Sequence, residues 1–244
     1  MRVYVGWDQR DAQALKVCCQ SLMDHASVPV DIIPLTDFDL RKRGLFTRTY
    51  HTRHDPVTNT LQKIDDGDGK PFSTDFSFTR FAVPELENFG SDWVLFCDPD
   101  ILWRADIAEL WEQIERDKSL CCVKHDFTPE NMYKMDGVRQ TRYFRKAWSS
   151  LMAIRPDRCR MMNRRALNTS RGAWLHSLAW AGSDEEIGGL NEEWNWLAGH
   201  SSPAIDPSVV HFTSGTPDME GHDDEPYADE WRAVLNGHAA VNVA

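Results

Sequence analysis

Nowhere in these 244 residues does an apolar run approach the roughly 20 residues that a bilayer-crossing helix needs. No apolar leader precedes the strand-like Val3-Tyr4-Val5. Both absences lead us to expect a cytoplasmic protein. Positive charge is also scarce: 27 Lys and Arg stand against 38 Asp and Glu, a formal net charge of −11. That balance opposes broad attraction to nucleic-acid backbones or anionic membranes, so no nucleic-acid partner is expected. A small anionic ligand stays open, because a bound cation and a few placed arginines reverse the field locally. The six cysteines (Cys18, Cys19, Cys97, Cys121, Cys122 and Cys159) include two adjacent pairs and no C-x-x-C. They match neither a disulfide framework nor a zinc site and read as small core residues in a reducing compartment.

What is present is an ordinary globular composition, 41% hydrophobic and 27% charged, in a length suited to one α/β domain spanning 1–244. Arg2 to Gly6 reads as a strand. Ala14, Leu15, Cys18 and Leu22 recur at helical spacing, and Val30 to Leu35 supplies a second strand, so the chain opens β-α-β. Residues 41–72 lack periodicity and read as a loop-rich excursion that covers a site. Order returns in the helical pattern of Ser73 to Phe89, then in the apolar run Trp93-Val94-Leu95-Phe96-Cys97, a strand buried on both faces. Ile107, Leu110, Trp111 and Ile114 form a helical stripe behind Asp106, which with Glu109 resembles a capping box. Leu120 to Val123, Ser150 to Ile154 and Val209 to Phe212 read as further strands. Helices are expected over Pro156 to Leu167, over Ile187 to Leu197 and at the C-terminus. The fold expected is a Rossmann-like, mostly parallel sheet flanked by helices.

The buried strand ends in Asp98-Pro99-Asp100. Ligands of open α/β sheets bind beyond the carboxyl ends of the strands, and two hard oxygen ligands there suit Mg²⁺ or Mn²⁺ with coordination positions left for phosphate. The competing interpretation is a polar turn whose aspartates cap neighbours. Arg80, in helix-forming sequence ahead of the pair, either forks onto a phosphate or ribose edge or makes a surface ion pair. His211, at a strand end before a Gly and Pro turn, is either a third ligand or an ordinary histidine.

The stretches Phe76 to Leu86, Val94 to Leu102 and Asp106 to Trp111 resemble glycosyltransferase family 8, the glycogenin-like and bacterial galactosyltransferase-like enzymes of the GT-A fold. The opening Val3-Tyr4-Val5-Gly6-Trp7-Asp8 is similar to that family's first strand, and Val210-His211-Phe212 with Gly215 and Pro217 to its closing motif. The resemblance implies a Mn²⁺-dependent transferase that takes a sugar from a UDP-sugar, with retention of configuration, and passes it to a hydroxyl-bearing acceptor. It makes Asp98, Asp100 and His211 the metal ligands and Arg80 a donor contact. It makes Asp8, beside Gly6 and Trp7, a nucleobase contact, with Gly215 in the closing turn.

Asp184 and Glu185 fall in the family's acidic segment near the anomeric carbon, although acids at a helix N-terminus explain them equally. Asp126, after a strand, is a candidate for donor-sugar hydroxyls. The family's closing lysine is Thr216 here, which passes leaving-group stabilisation to Arg142, Arg145 or Lys146. Its asparagine segment appears as Trp148-Ser149-Ser150. Trp174, Trp180, Trp194 and Trp196 offer faces for an acceptor sugar or fill the core. The acidic run Asp223-Asp224-Glu225 binds Ca²⁺ or is a solvated face. Two other functions fit the carboxylate pair: a phosphate-cleaving hydrolase or nucleotidyltransferase, and a silent sugar-nucleotide binding module.

Overall fold

β1 (Arg2–Gly6) and β2 (Asp31–Leu35) run parallel, joined by the crossover helix α1 (Ala12–His25). The helix turns Ala14, Val17, Cys18, Ser21 and Leu22 inward at the three- and four-residue spacing seen in the sequence. The structure, a computed structural model, describes residues 1–126 and 144–237. Its remaining strands are β3 (Tyr50–Asp55), β4 (Thr60–Asp65), β5 (Pro71–Phe72), β6 (Val94–Cys97), β7 (Ile101–Trp103), β8 (Leu120–Val123), β9 (Leu151–Ile154), β10 (Ile187–Leu190), β11 (Trp196–Leu197) and β12 (Val209–His211).

The main sheet has the order β10-β8-β9-β6-β1-β2. β9 alone runs against its neighbours, so the fold is α/β with a mostly parallel sheet. Alternate side chains feed two cores. Val3, Val5, Leu95, Cys97 and Ala153 pack on one face, and Tyr4, Phe96, Cys122 and Met152 on the other. Because β9 is reversed, the residues before it lie at the same edge as those that follow β1, β6, β8 and β10. A small sheet, β11-β12-β7, stands beside this edge, with β12 antiparallel to β7 and His211 opposite Ile101.

Three expectations are corrected. Residues 41–72 hold the antiparallel meander β3-β4-β5 rather than loop alone. Its outer strand is exposed along nearly its whole length, so no apolar alternation marks it. Charge anchors it instead: Arg48 grips Asp65 with Nε and Nη2 at 2.6 and 2.7 Å, both side chains buried, and Nη1 donates to the carbonyls of Leu167 and Ser170. The helix expected over Pro156 to Leu167 is a single 3-10 turn, Pro156–Arg158, and a separate helix, Arg164–Thr169, which Asn163 caps by accepting from the Ala166 N–H. Ile187 to Leu197 is also not a helix but β10, the 3-10 turn Glu192–Asn195 and β11. Gly188 explains this one, since a Cβ there would stand 2.5 Å from Cys121 Sγ, and only glycine lets β10 approach β8 so closely.

Candidate metal and donor site

The turn after β6 is held by backbone. The Asp98 N–H donates to the Ser150 carbonyl at 2.8 Å, and the Phe212 N–H donates to the Asp100 carbonyl at 2.9 Å. Pairing of β12 with β7 thus delivers His211 to the carboxylates. One ligand atom each from Asp98, Asp100 and His211 lies within 4.8 Å of the others, the only such group of His, Cys, Asp or Glu found among the described residues. His211 Nε2 is 3.5 Å from Asp100 Oδ1.

The other ring nitrogen of His211 is held by a neighbour. Nδ1 lies 2.9 Å from Asn195 Oδ1. The Asn195 amide nitrogen donates to Ser150 Oγ, which donates to the Ala147 carbonyl, so the amide oxygen faces the ring as an acceptor. Nδ1 therefore donates to Asn195, which leaves Nε2, on the side of the aspartates, as the nitrogen that would meet a metal. Two carboxylates and one imidazole so arranged fit a borderline-hard divalent cation such as Mn²⁺ or Mg²⁺. Asn195 is fully buried, and no motif marks it, because Ile187 to Leu197 reads as helix from its residues alone.

Arg80 is buried against Asp98, with Nη1 at 2.9 Å from Oδ1 and 3.2 Å from Oδ2; the same nitrogen donates to the Ser149 carbonyl at 2.9 Å, and Nε donates to the Phe76 carbonyl. It is an ion pair, but an interior one that orients a candidate ligand. Asp8 is equally engaged. Its oxygens accept from the Arg10 N–H, Nε and Nη2 at 3.0, 3.1 and 2.9 Å and from the Asp75 N–H at 3.0 Å. Burial works to raise its pKa, and these hydrogen bonds more than reverse that, leaving it below the ordinary carboxylate value. Four donors fill the carboxylate's acceptor positions. Asp8 thus fixes Arg10 and the segment at Asp75, and the Arg10 guanidinium is the exposed group at that point.

Asp11, which no sequence motif marks, lies near Asp8 and Asp100. Burial, then the carboxylates of Asp100, Asp8 and Asp218, push it up to about 7. The folded chain holds this proton up to about 7 whereas the unfolded chain releases it near the ordinary 3.8, so stability falls as pH rises through that window. In metal-free buffer Asp11→Asn is expected to raise the melting temperature at pH 8, with a gain that shrinks toward pH 5; thermal melts across this range check it. His125, after β8, is pushed down to about 4 by burial and then by the neighbouring His211, and is neutral at physiological pH.

The other expected residues stand outside the group formed by Asp98, Asp100 and His211. Asp126 is exposed after β8, and Trp7 is half-buried. At Gly6 a Cβ would meet Phe76 Cγ at 2.8 Å, so the glycine permits the close approach of that helix. Gly215 is buried in a turn, donating to the Phe212 carbonyl. Thr216, at the lysine position, is buried and donates to Asp218 Oδ1 at 2.6 Å. Asp184 and Glu185 are exposed on the 3-10 turn Asp184–Glu186, outside the metal group, and Asp184 pairs with Arg145. Arg142 lies outside the described residues. Trp180, Trp194 and Trp196 are core residues, not sugar platforms.

No family model matches the sequence. Among solved structures, the galactosyltransferase LgtC in complex with donor and acceptor sugar analogs superposes with a TM-score of 0.58 at 15% identity, covering 100% of this chain and 98% of that one. The bifunctional glycosyltransferase WbbM gives 0.61 at 14%, with 98% of this chain spanning 50% of its length. GlyE of Streptococcus pneumoniae TIGR4 gives 0.56 at 13%, covering 96% and 62%. The fold is that of the GT-A glycosyltransferases. The sequence is 37% identical over 237 residues to Protein CDI of Arabidopsis thaliana, covering 94% of this chain and 84% of that protein. The chain belongs to the Protein CDI family.

Proposed function

We propose that this protein is a metal-dependent glycosyltransferase of the family 8 type, which takes a sugar from a nucleotide-diphosphate donor, a UDP-sugar, and passes it with retention to a hydroxyl acceptor. The observation that carries this reading is the convergence of Asp98, Asp100 and His211 at the carboxyl edge of the sheet, with His211 Nδ1 held by Asn195. The fold shared with LgtC, whose structure holds donor and acceptor sugar analogs, supports the choice of substrate.

In this reading Asp98, Asp100 and His211 hold Mn²⁺ or Mg²⁺. The cation, when bound, supplies Lewis-acid neutralisation of the charge that builds on the departing diphosphate. Arg80 keeps Asp98 oriented. Arg10, clamped by Asp8, offers a guanidinium where the family's nucleobase contact is expected. Asp126, Glu185 and Asp184 are assigned to the sugar and acceptor side, and Gly215 to the turn behind His211. Among the described residues, no helix is long and apolar enough to cross a membrane.

The test is nucleotide release from a panel of nucleotide sugars in water enriched in ¹⁸O. We expect release from at least one UDP-sugar that requires Mn²⁺ or Mg²⁺ and stops with EDTA, and label from the hydrolytic side reaction should enter the sugar. Label on phosphate would mean attack at phosphorus and would contradict the transferase.

A further inference from the structure

Arg145 opens the segment that leads into β9, and its backbone is unusual. Arg145 and Ala147 both take left-handed conformations, φ +61° and +66°, which residues with a Cβ adopt only where their surroundings enforce it. The result is a guanidinium turned inward. Its side chain is 6% exposed; Nη1 donates to the Ser177 carbonyl at 2.6 Å, Nη2 meets the Asp184 carboxylate, and the buried Nε has no hydrogen-bond partner among the described residues. The Trp148 and Phe144 rings flank it at 5.4 and 5.2 Å.

The ion pair is lopsided. A buried guanidinium needs an anion, because its charge has been taken from water. Asp184, whose side chain is 78% exposed, loses little by returning to solvent. Of the two partners, Asp184 is therefore the exchangeable one.

Position supplies the second observation. Ser149 and Ser150, four and five residues beyond Arg145, give their carbonyls to Arg80 and to the Asp98 N–H, and Ser149 Oγ meets His176 Nδ1 beside the Ser177 that accepts from Arg145. Arg145 thus stands on the same structural unit that frames the candidate metal site. The position where the resemblance expects a phosphate-binding lysine holds Thr216, buried and committed to Asp218. The diphosphate of a nucleotide sugar carries two negative charges and gains a third as it departs, one more than a divalent cation neutralises, and a forked guanidinium suits phosphate oxygens.

We propose that Arg145 receives the diphosphate of the donor, and that Asp184 is its resident counter-ion, displaced when the donor arrives. The inference rests on the donor reading above. It makes donor binding an exchange of one anion for another on Arg145, and it releases the Asp184 carboxylate only once the site is filled.

Isothermal titration of UDP and of inorganic pyrophosphate into the full chain at saturating Mn²⁺ tests it. Asp184→Asn removes the competing anion and is expected to tighten both ligands by about threefold to tenfold. Arg145→Met is expected to weaken both by about tenfold or more, with Arg145→Lys between it and the wild type. Should Arg145→Met fail to fold, Asp184→Asn decides alone. Unchanged or weaker binding in Asp184→Asn overturns the proposal, as does wild-type affinity in a folded Arg145→Met. If the wild type binds both ligands and the variants fail in this way, only the role of Arg145 falls. If the wild type binds neither UDP nor pyrophosphate with Mn²⁺ present, the donor reading falls and takes this inference with it.

Discussion

Asp100→Asn is expected to lower metal-dependent turnover of the donor by about three orders of magnitude, equivalent to about 4 kcal/mol of transition-state stabilisation, while leaving the fold intact. The backbone role of Asp100 survives the change, because it is the carbonyl that accepts from the Phe212 N–H. What is lost is one anionic oxygen from a group of three candidate ligands. Asn keeps the volume and a weaker oxygen, so a packing defect does not confuse the result. In metal-free buffer the variant is expected to melt no lower than the wild type, since a negative charge is removed from the neighbourhood of Asp98, Asp8 and Asp11. The stabilisation that Mn²⁺ confers by mass action should then largely vanish. Initial rates of nucleotide release, with melting curves in EDTA and in Mn²⁺, check both halves. A variant that turns over donor as the wild type does would remove Asp100 from the site.

Arg80→Met carries the second large effect, this time on stability. The guanidinium and the Asp98 carboxylate are both nearly buried, at 7% and 10% side-chain exposure, and removing one member of such a pair costs about 3–5 kcal/mol. The methionine finds apolar surroundings in Phe76 and Phe96, whose rings lie 5.4 and 5.2 Å from the guanidinium, so cavity formation is a minor part of the loss. Two controls separate the ion pair from packing. Adding Asp98→Asn should recover much of the loss, a coupling that a double-mutant cycle reads directly. Saturating Mn²⁺ should recover part of it in the single variant, because a cation at Asp98 neutralises the same carboxylate. A denaturant midpoint within about 1 kcal/mol of wild type would show that the pair does not hold the site together.

How much of this was legible in the sequence depended on whether the signal was local. Val3-Tyr4-Val5 and Val94 to Cys97 announce strands covered on both faces because every side chain is apolar, and both are buried. Asp106 caps its helix as read, accepting from the Ala108 N–H at 3.0 Å. The Asp98-Pro99-Asp100 turn stands out because it interrupts such a strand. His211 is brought to it by strand pairing, which the resemblance anticipated and periodicity did not.

The illegible parts are held by distant partners. The meander depends on Arg48 reaching Asp65, and β10 on a glycine pressed against Cys121. Asn195 acts on His211 across a loop that reads as helix from its residues alone. The resemblance implies that Asp8 and Arg80 contact the donor, but their engagement by Arg10, Asp75 and Asp98 is a property of the folded chain. The pairing of Asp184 with Arg145 is likewise invisible until the two segments meet.

Titration of the protein with Mn²⁺, followed through the electron paramagnetic resonance signal of the free aquo ion, addresses the metal directly. One saturable site per chain should remove that signal, with affinity rising when UDP is added and falling by about tenfold or more in Asp100→Asn and in His211→Gln. A chain that binds no Mn²⁺ with UDP present, or that binds it equally well in both variants, would contradict the account.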